Sequence, residues 1–235
     1  KDTALESWTK VAFGSDVNFD VYIHTWSDLG MRRAGDHDLD FSKMVDPSSE
    51  QIKSIDIFYK WNAQRVMIEK QEGLLLENMI KQAAFWYVKR KEYIDASGHG
   101  EIVINRTLGN LFMWYSWSQC IKLVQASDIK YDYVVRSRPD FIPTEGIPID
   151  DVAIMTPPWG YDNIGMHDWW AGGSFTNMCI FLSMYNHFDQ MWENLGTDRA
   201  SYDKMINPHR IGHHFLTWKE IPIKKYGSDC GYLER

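Results

Sequence analysis

Apolar positions recur along this chain with two spacings, which predict helices and strands in alternation. Helical spacing occurs at residues 2–13, 73–94, 108–125, 175–193 and 211–218. Alternating or short continuous apolar runs, which are typical of strands, occur at residues 19–24, 55–58, 131–140, 151–155, 169–171 and 221–223. Strands interspersed with helices predict an α/β fold, and we expect residues 1–235 to form one domain with a mixed central sheet flanked by helices.

Residues 27–50 break this pattern with a polar, charged and glycine-containing stretch, which predicts a long, mobile surface loop. The loop contains the acidic run at residues 36–40, which has two overlapping Asp-x-Asp spacings. A supporting metal role for this run is the weaker interpretation, because no buried strand precedes it and short acidic runs are most often solvated.

The strand predicted at residues 131–140 ends in two cations and a carboxylate. Alternation places Arg136, Arg138 and Asp140 on one face, while Pro139 cannot donate to a sheet ladder and marks where pairing stops. Arg136 and Arg138 are candidates for clamping phosphate oxygens as a leaving group gains charge. Asp140 is a candidate ligand for Mn²⁺ or Mg²⁺. The competing interpretation is a surface ion-pair cluster at a strand end.

Asp168 precedes a predicted strand at residues 169–171 and a predicted turn at residues 172–174, where Ser174 is a candidate helix N-cap. A carboxylate at such a turn can act as a catalytic base that accepts the proton of an attacking sugar hydroxyl. The turn glycines would let a substrate approach the backbone. The alternative, a structural turn aspartate, is equally open.

Aromatic and histidine residues provide further candidates. His24 and Trp26 lie at the end of the predicted strand at 19–24 and can contact a donor, although a lone histidine is more often structural. Trp169 and Trp170 are candidates for binding a sugar acceptor on their flat faces. Three histidines near the end of the chain suggest a metal cluster by composition, but too few carboxylates accompany them to support zinc; they are His209, His213 and His214.

Composition narrows the class of partner. The formal net charge of −7 argues against a protein that tracks a nucleic-acid backbone. The cysteines Cys120, Cys179 and Cys230 are too dispersed for a zinc knuckle or a disulfide framework, so we expect a reducing, cytoplasmic compartment. The chain contains no run of about 18 apolar residues, so no membrane span is predicted. The 11 tryptophans exceed what packing usually requires, although most are expected in the core.

Four strings occur in an order that resembles a known family. They are DVYIHTW at 20–26, LFMWYSWSQC at 111–120, YDYVVRSRPD at 131–140 and DWWAGGS at 168–174. Together they resemble a GT-A-type glycosyltransferase family of bacterial polysaccharide loci and large DNA viruses. The resemblance implies a GT-A-like, Rossmann-like sheet, a nucleotide-sugar donor and a carbohydrate acceptor. It also implies a location in the cytoplasm of a bacterium or a virus-infected cell.

The family pattern, carried over, places His24, Arg136, Arg138, Asp140 and Asp168 around the donor. The chain departs from that pattern in two places. A first strand with a glycine-containing turn would lie before Lys1, so either the chain begins late or the base site is built differently. Arg138-Pro139-Asp140 replaces Asp-x-Asp, so the arginines themselves can neutralise pyrophosphate.

The sequence therefore predicts a glycosyltransferase that moves a sugar from a UDP- or GDP-linked donor to a carbohydrate hydroxyl. One alternative is a non-catalytic carbohydrate-binding module that stacks glycans on Trp159, Trp169 and Trp170. Another is a sugar nucleotidyltransferase; a Gly-rich phosphate loop beside a lysine would favour it, and the sequence shows none. The donor sugar, the stereochemistry and the oligomeric state are left open by the sequence.

Overall fold

The computed structural model of the chain describes residues 7–12, 17–26, 63–70, 72–89, 100–138, 141–159, 165–194, 207–226 and 231–233. These residues form a mixed α/β structure with a mixed sheet, which agrees with the predicted α/β class. The predicted loop at 27–50, its acidic run at 36–40 and the predicted strand at 55–58 lie outside the described residues, as does Asp140. The chain divides into two compact units.

Helices and strands alternate along the described part of the chain. In order they are a π-helix Trp8–Ala12, β1 Val21–Trp26, β2 Ala63–Glu69, α1 Gly73–Lys89, α2 Gly100–Gln125, β3 Tyr133–Ser137, β4 Phe141–Pro143, β5 Ile154–Thr156, β6 Pro158–Trp159, β7 Gly165–Met166, β8 Trp170–Ser174, α3 Phe175–Leu182, a 3-10 helix Met184–His187, α4 Phe188–Asn194, α5 Pro208–Trp218, β9 Ile223–Lys225 and β10 Gly231–Leu233. None of the helices in the described ranges has both the length and the apolar character needed to cross a membrane.

The first unit comprises residues 1–20, 128–184 and 207–235. Its main sheet has the strand order β3-β8-β5-β9, in which β8 runs antiparallel to both β3 and β5 while β5 and β9 are parallel. Two smaller pairs, β4 with β10 and β6 with β7, are antiparallel. This strand order brings the end of β3 beside the start of β8, where the candidate residues Arg136, Arg138 and Asp168 lie.

The glycines of β8 have a packing role that the sequence did not indicate. Residues 172–174 continue the strand and do not form the turn that we predicted. A Cβ on Gly172 would lie 3.1 Å from the ring of Tyr133 and from Val135, and one on Gly173 would lie 3.3 Å from the Ala153 carbonyl oxygen. The missing side chains therefore allow neighbouring strands to pack closely. Ser174 is the N-cap of α3, as predicted, because its side chain accepts from the amide of Asn177 at 3.4 Å.

The core of the first unit is rich in aromatic side chains. Trp8 packs edge-on against Trp170 with ring centroids 6.5 Å apart, and it lies 5.9 Å from Phe141. Ile147 and Met155 complete the buried group. Burial of such large apolar surfaces stabilises the fold by roughly 1.5–3 kcal/mol per side chain. The short β4 and the π-helix are held in place by this core.

The second unit comprises residues 21–127 and 185–206. Its strands β1 and β2 are parallel, and α1, α2 and α4 carry its buried aromatic side chains. Trp86 lies 5.4 Å from Trp192, and Trp114 lies 5.6 Å from Phe188. The expectation that most tryptophans are core residues is confirmed for six buried ones, which are Trp8, Trp86, Trp114, Trp117, Trp170 and Trp192.

Most predicted elements are present with shifted ends. The helix predicted at 108–125 begins earlier, at Gly100. The helix over 211–218, which the sequence predicts to begin at Pro208, does begin there, after the N-cap Asn207. The strand predicted at 221–223 occurs two residues later as β9. The sequence missed β2, because the exposed polar residues Gln64 and Arg65 near its start interrupt any apolar alternation. It pairs with β1 all the same.

Candidate functional site

Two arginines from β3 and its end converge on Asp168. Arg136 is paired with Ala171 of β8, and the Arg138 amide donates to the carbonyl oxygen of Trp169 at 2.8 Å. This register brings both guanidinium groups to the residues just before β8. The Nη1 of Arg136 donates to the backbone oxygen of Asp168, and the Nη1 of Arg138 donates to its Oδ2 at 3.1 Å. The sequence predicted each of these residues but not their contact.

Asp168 is held in its ionised form. Burial raises the pKa of its carboxyl, but the neighbouring His167 and the charges of His209, Arg138 and Arg136 more than offset that effect. The pKa of Asp168 consequently lies well below its ordinary value of 3.8. A carboxylate with such low proton affinity is a weak general base, because general-base catalysis favours a pKa near the working pH.

Two histidines complete a group around the same carboxylate. His167 Nδ1 lies 3.9 Å from Asp168 Oδ1, and its ring lies 5.5 Å from that of His209. His209 is near the start of α5, and its Nδ1 lies 2.8 Å from the carbonyl oxygen of Met166. We call residues Arg136, Arg138, His167, Asp168 and His209 the arginine–histidine cluster.

The histidines of this cluster show what the sequence missed. We had grouped His209 with His213 and His214 by proximity in the chain, whereas the structure places it beside His167 and Asp168. His167 and His209 are far apart in sequence, so no spacing motif could reveal that their rings lie close together. The pair His167-Asp168 before a predicted strand was the one local signal.

Lys225 adds a third cation near these residues. It ends β9 beside Thr156, and its Nζ donates to the carbonyl oxygen of Gly165. Burial lowers the pKa of Lys225 to about 8, so the amine is still mostly protonated at neutral pH. Two arginines at Asp168 and a lysine at Gly165, three residues earlier in the chain, therefore carry positive charge in this part of the first unit. Such an excess of positive charge favours an anionic ligand.

The two tryptophans that follow Asp168 differ in exposure. Trp170 is 0% exposed and belongs to the core, so it has no face on which an acceptor sugar can stack, and we correct its predicted acceptor role to packing. Trp169 is partly buried and stacks on Phe141 at 5.8 Å and against His167 at 4.1 Å. Its role at the acceptor stays a prediction.

His24 and Trp26 belong to the second unit. The His24 side chain is 0% exposed, and its Nε2 lies 2.8 Å from Oε2 of Glu69. Trp26 packs edge-on against His24 at 5.0 Å and stacks on Tyr115 at 5.7 Å. Burial lowers the pKa of His24, although Glu69 opposes that effect. These contacts indicate a structural network, and a donor contact stays a prediction.

The hydroxyl of Tyr115 donates to Oε1 of Glu69 at 3.1 Å, so one carboxylate joins the histidine and the tyrosine. Burial, together with the charge of Glu69, raises the pKa of Tyr115 to about 12. The side chains of His24 and Tyr115 are thereby kept neutral, as fixed hydrogen-bond partners of Glu69. The network ties β1 and β2 to α2.

Comparison of the chain with protein-family models, with curated proteins and with solved structures found no match. The functional argument therefore depends on the residues of this chain.

Proposed function

We propose that this protein is a glycosyltransferase that moves a sugar from a UDP- or GDP-linked donor to a carbohydrate hydroxyl. The observation that carries the proposal is the convergence of Arg136 and Arg138 on Asp168 at the edge of the main sheet of the first unit. Ligands of open α/β sheets commonly bind at strand ends. The excess of cations there suits the diphosphate of a nucleotide sugar.

In this proposal the arginines bind the pyrophosphate that leaves with the nucleotide. A guanidinium carries more N–H donors than one carboxylate oxygen accepts, so an arginine anchored on Asp168 can also bind phosphate oxygens. The contact with Asp168 holds the guanidinium group in place before the ligand arrives. A cation that is positioned in advance stabilises the charge that develops on a leaving group. Lys225 adds positive charge near Gly165.

Asp168 has two candidate roles under this proposal. Its contacts with Arg136 and Arg138 support a positioning role, in which the carboxylate fixes the guanidinium of Arg138 and the backbone carbonyl oxygen fixes that of Arg136. The predicted role as catalytic base would require the carboxylate to accept a proton, which its low pKa disfavours. A base at Asp168 implies inversion at the anomeric carbon, so retention of configuration in the product would exclude that role.

Asp140 is proposed as the ligand of Mn²⁺ or Mg²⁺. It follows the described end of β3 by a few residues and is itself outside the described part of the chain. A hard divalent ion bound by one carboxylate is commonly completed by phosphate oxygens and water. When bound, such an ion supplies further charge for the leaving pyrophosphate. The Asp140→Ala variant should then lose donor turnover while keeping its thermal transition.

A thermal-shift screen tests the proposal. The chain is heated with UDP-sugars, GDP-sugars, the free nucleotides and glycans, each with and without Mn²⁺. A ligand that binds the folded state raises the transition midpoint, by an amount that grows with its concentration. The proposal requires a shift with one class of nucleotide sugar. A shift with glycans and with none of the nucleotides would support the carbohydrate-binding alternative and overturn the enzyme.

A further inference from the structure

We propose that His167, Asp168 and His209 form a binding site for a first-row transition-metal ion of the Zn²⁺ class. One ligand atom from each of these residues lies within 4.8 Å of the other two. The site uses other residues and other donor atoms than the carboxylate site proposed at Asp140. It also stands independently of the glycosyltransferase proposal.

The orientation of His209 supports metal binding. Its Nδ1 lies 2.8 Å from the carbonyl oxygen of Met166, and a carbonyl can only accept, so Nδ1 carries the proton. In the neutral imidazole the lone pair is then on Nε2. A metal-binding histidine typically donates its other ring N–H to a carbonyl or carboxylate, which fixes the ring and its tautomer. The carbonyl of Met166 performs that function for His209.

His167 supplies a second, independent observation. Its Nδ1 is buried and has no hydrogen-bond partner among the described residues, since Oδ1 of Asp168 lies 3.9 Å away. A buried polar atom without a partner costs about 1–3 kcal/mol, so native structures rarely keep one without a reason. A metal ion between this nitrogen and the carboxylate would give it a partner.

The Asp168 carboxylate can serve the ion and Arg138 at once, because its two oxygens face different groups. Oδ2 accepts from Arg138, whereas Oδ1 is the oxygen nearer to His167. Donor atoms around tetrahedral zinc are about 3.3 Å apart, given bonds of about 2.0–2.1 Å. Side-chain shifts of about an ångström would therefore close the site.

The donor set and the local charge define which ion binds and how tightly. Two imidazole nitrogens and one carboxylate suit zinc and its neighbours, whereas Mg²⁺ and Ca²⁺ prefer all-oxygen sites. Three protein ligands leave one position open, as in catalytic zinc sites. The nearby cations Arg136 and Arg138 oppose a divalent charge, so we expect weaker binding than in a closed four-ligand site.

The test is calorimetric titration of the chelator-treated chain with Zn²⁺ alone, and then with Mg²⁺ alone. The proposal requires one Zn²⁺ per chain and no comparable binding of Mg²⁺. His167→Gln and His209→Gln should each weaken Zn²⁺ binding by at least about 100-fold, since losing even an outer-shell partner commonly costs about 10–100-fold. The control His187→Gln removes a histidine of the second unit and should leave the affinity unchanged.

Absence of saturable Zn²⁺ binding, or equal affinity in all three variants, would overturn the proposal. Thermal transitions of the variants are recorded in parallel to detect misfolding. If a variant does not fold, the X-ray absorption spectrum of the zinc-loaded wild-type chain decides instead. Two imidazole ligands support the site, and a spectrum without them contradicts it.

Discussion

Arg138 donates from Nη1 to Oδ2 of Asp168 at 3.1 Å, and both side chains are largely shielded, with 29% and 24% of their surfaces exposed. The contact joins the end of β3 to the residue two positions before β8. An ion pair shielded in this way contributes more to the stability of the fold than a surface ion pair, which is typically worth about 0–1 kcal/mol. Removing one partner would leave the other charge partly buried and less well compensated.

A double-mutant cycle measures this relationship. Arg138→Gln and Asp168→Asn should each lower the free energy of unfolding by about 1–3 kcal/mol, because each leaves a polar partner less well satisfied. The double variant should lose less than the sum, with a coupling energy of about 1 kcal/mol. Urea denaturation gives all three values. Additive losses would show that the two side chains do not interact in solution.

The stability of the chain should depend on pH through Asp168. Its folded pKa is depressed below the ordinary 3.8, so its contribution is fully present above that value and is lost as the pH falls further. Wild type should therefore exceed Asp168→Asn in stability at neutral pH, and the difference should shrink as the pH falls below about 4. Urea denaturation from pH 7 downward provides the comparison. A difference that stays constant down to the acid limit of folding would refute the depressed pKa.

Two glycines provide a matched test of the sheet packing. A Cβ at Gly172 would lie 3.1 Å from Tyr133 and Val135, whereas one at Gly109 in α2 would meet nothing within 4 Å. Gly172→Ala should destabilise the fold by about 1–3 kcal/mol through overpacking. Gly109→Ala should stabilise it by about 0.5–1 kcal/mol, because alanine favours the helix interior. Equal effects in thermal denaturation would contradict the role given to Gly172.

The sequence predicted the local features of the candidate site better than its contacts. The apolar run that ends at Pro139 indicated β3, and both arginines predicted at its end, Arg136 and Arg138, contact Asp168. Their contact with Asp168 depends on the antiparallel register of β3 and β8, which no local pattern encodes. The proximity of His167 and His209 was missed because it depends on the contact of the start of α5 with Met166 of β7, which is also a long-range contact.

The glycines of β8 illustrate a conflict between local preference and packing. Adjacent glycines usually indicate a turn, and we predicted one at residues 172–174. The close approach of Tyr133 and Ala153 instead requires residues without side chains inside the strand. Tertiary packing therefore overrode the local signal, and only the N-cap at Ser174 was evident from the sequence.

The central claim is that the arginines beside Asp168 bind the phosphates of a nucleotide. Calorimetric titration of UDP and GDP into wild type, Arg138→Gln and Arg65→Gln tests it most directly, since Arg65 is an exposed residue of β2 in the second unit. We expect one of the nucleotides to bind wild type and the control alike. Arg138→Gln should weaken that binding by about 10–100-fold, the loss of one charge-assisted hydrogen bond. Binding of neither nucleotide, or equal affinity in Arg138→Gln and wild type, would contradict the account.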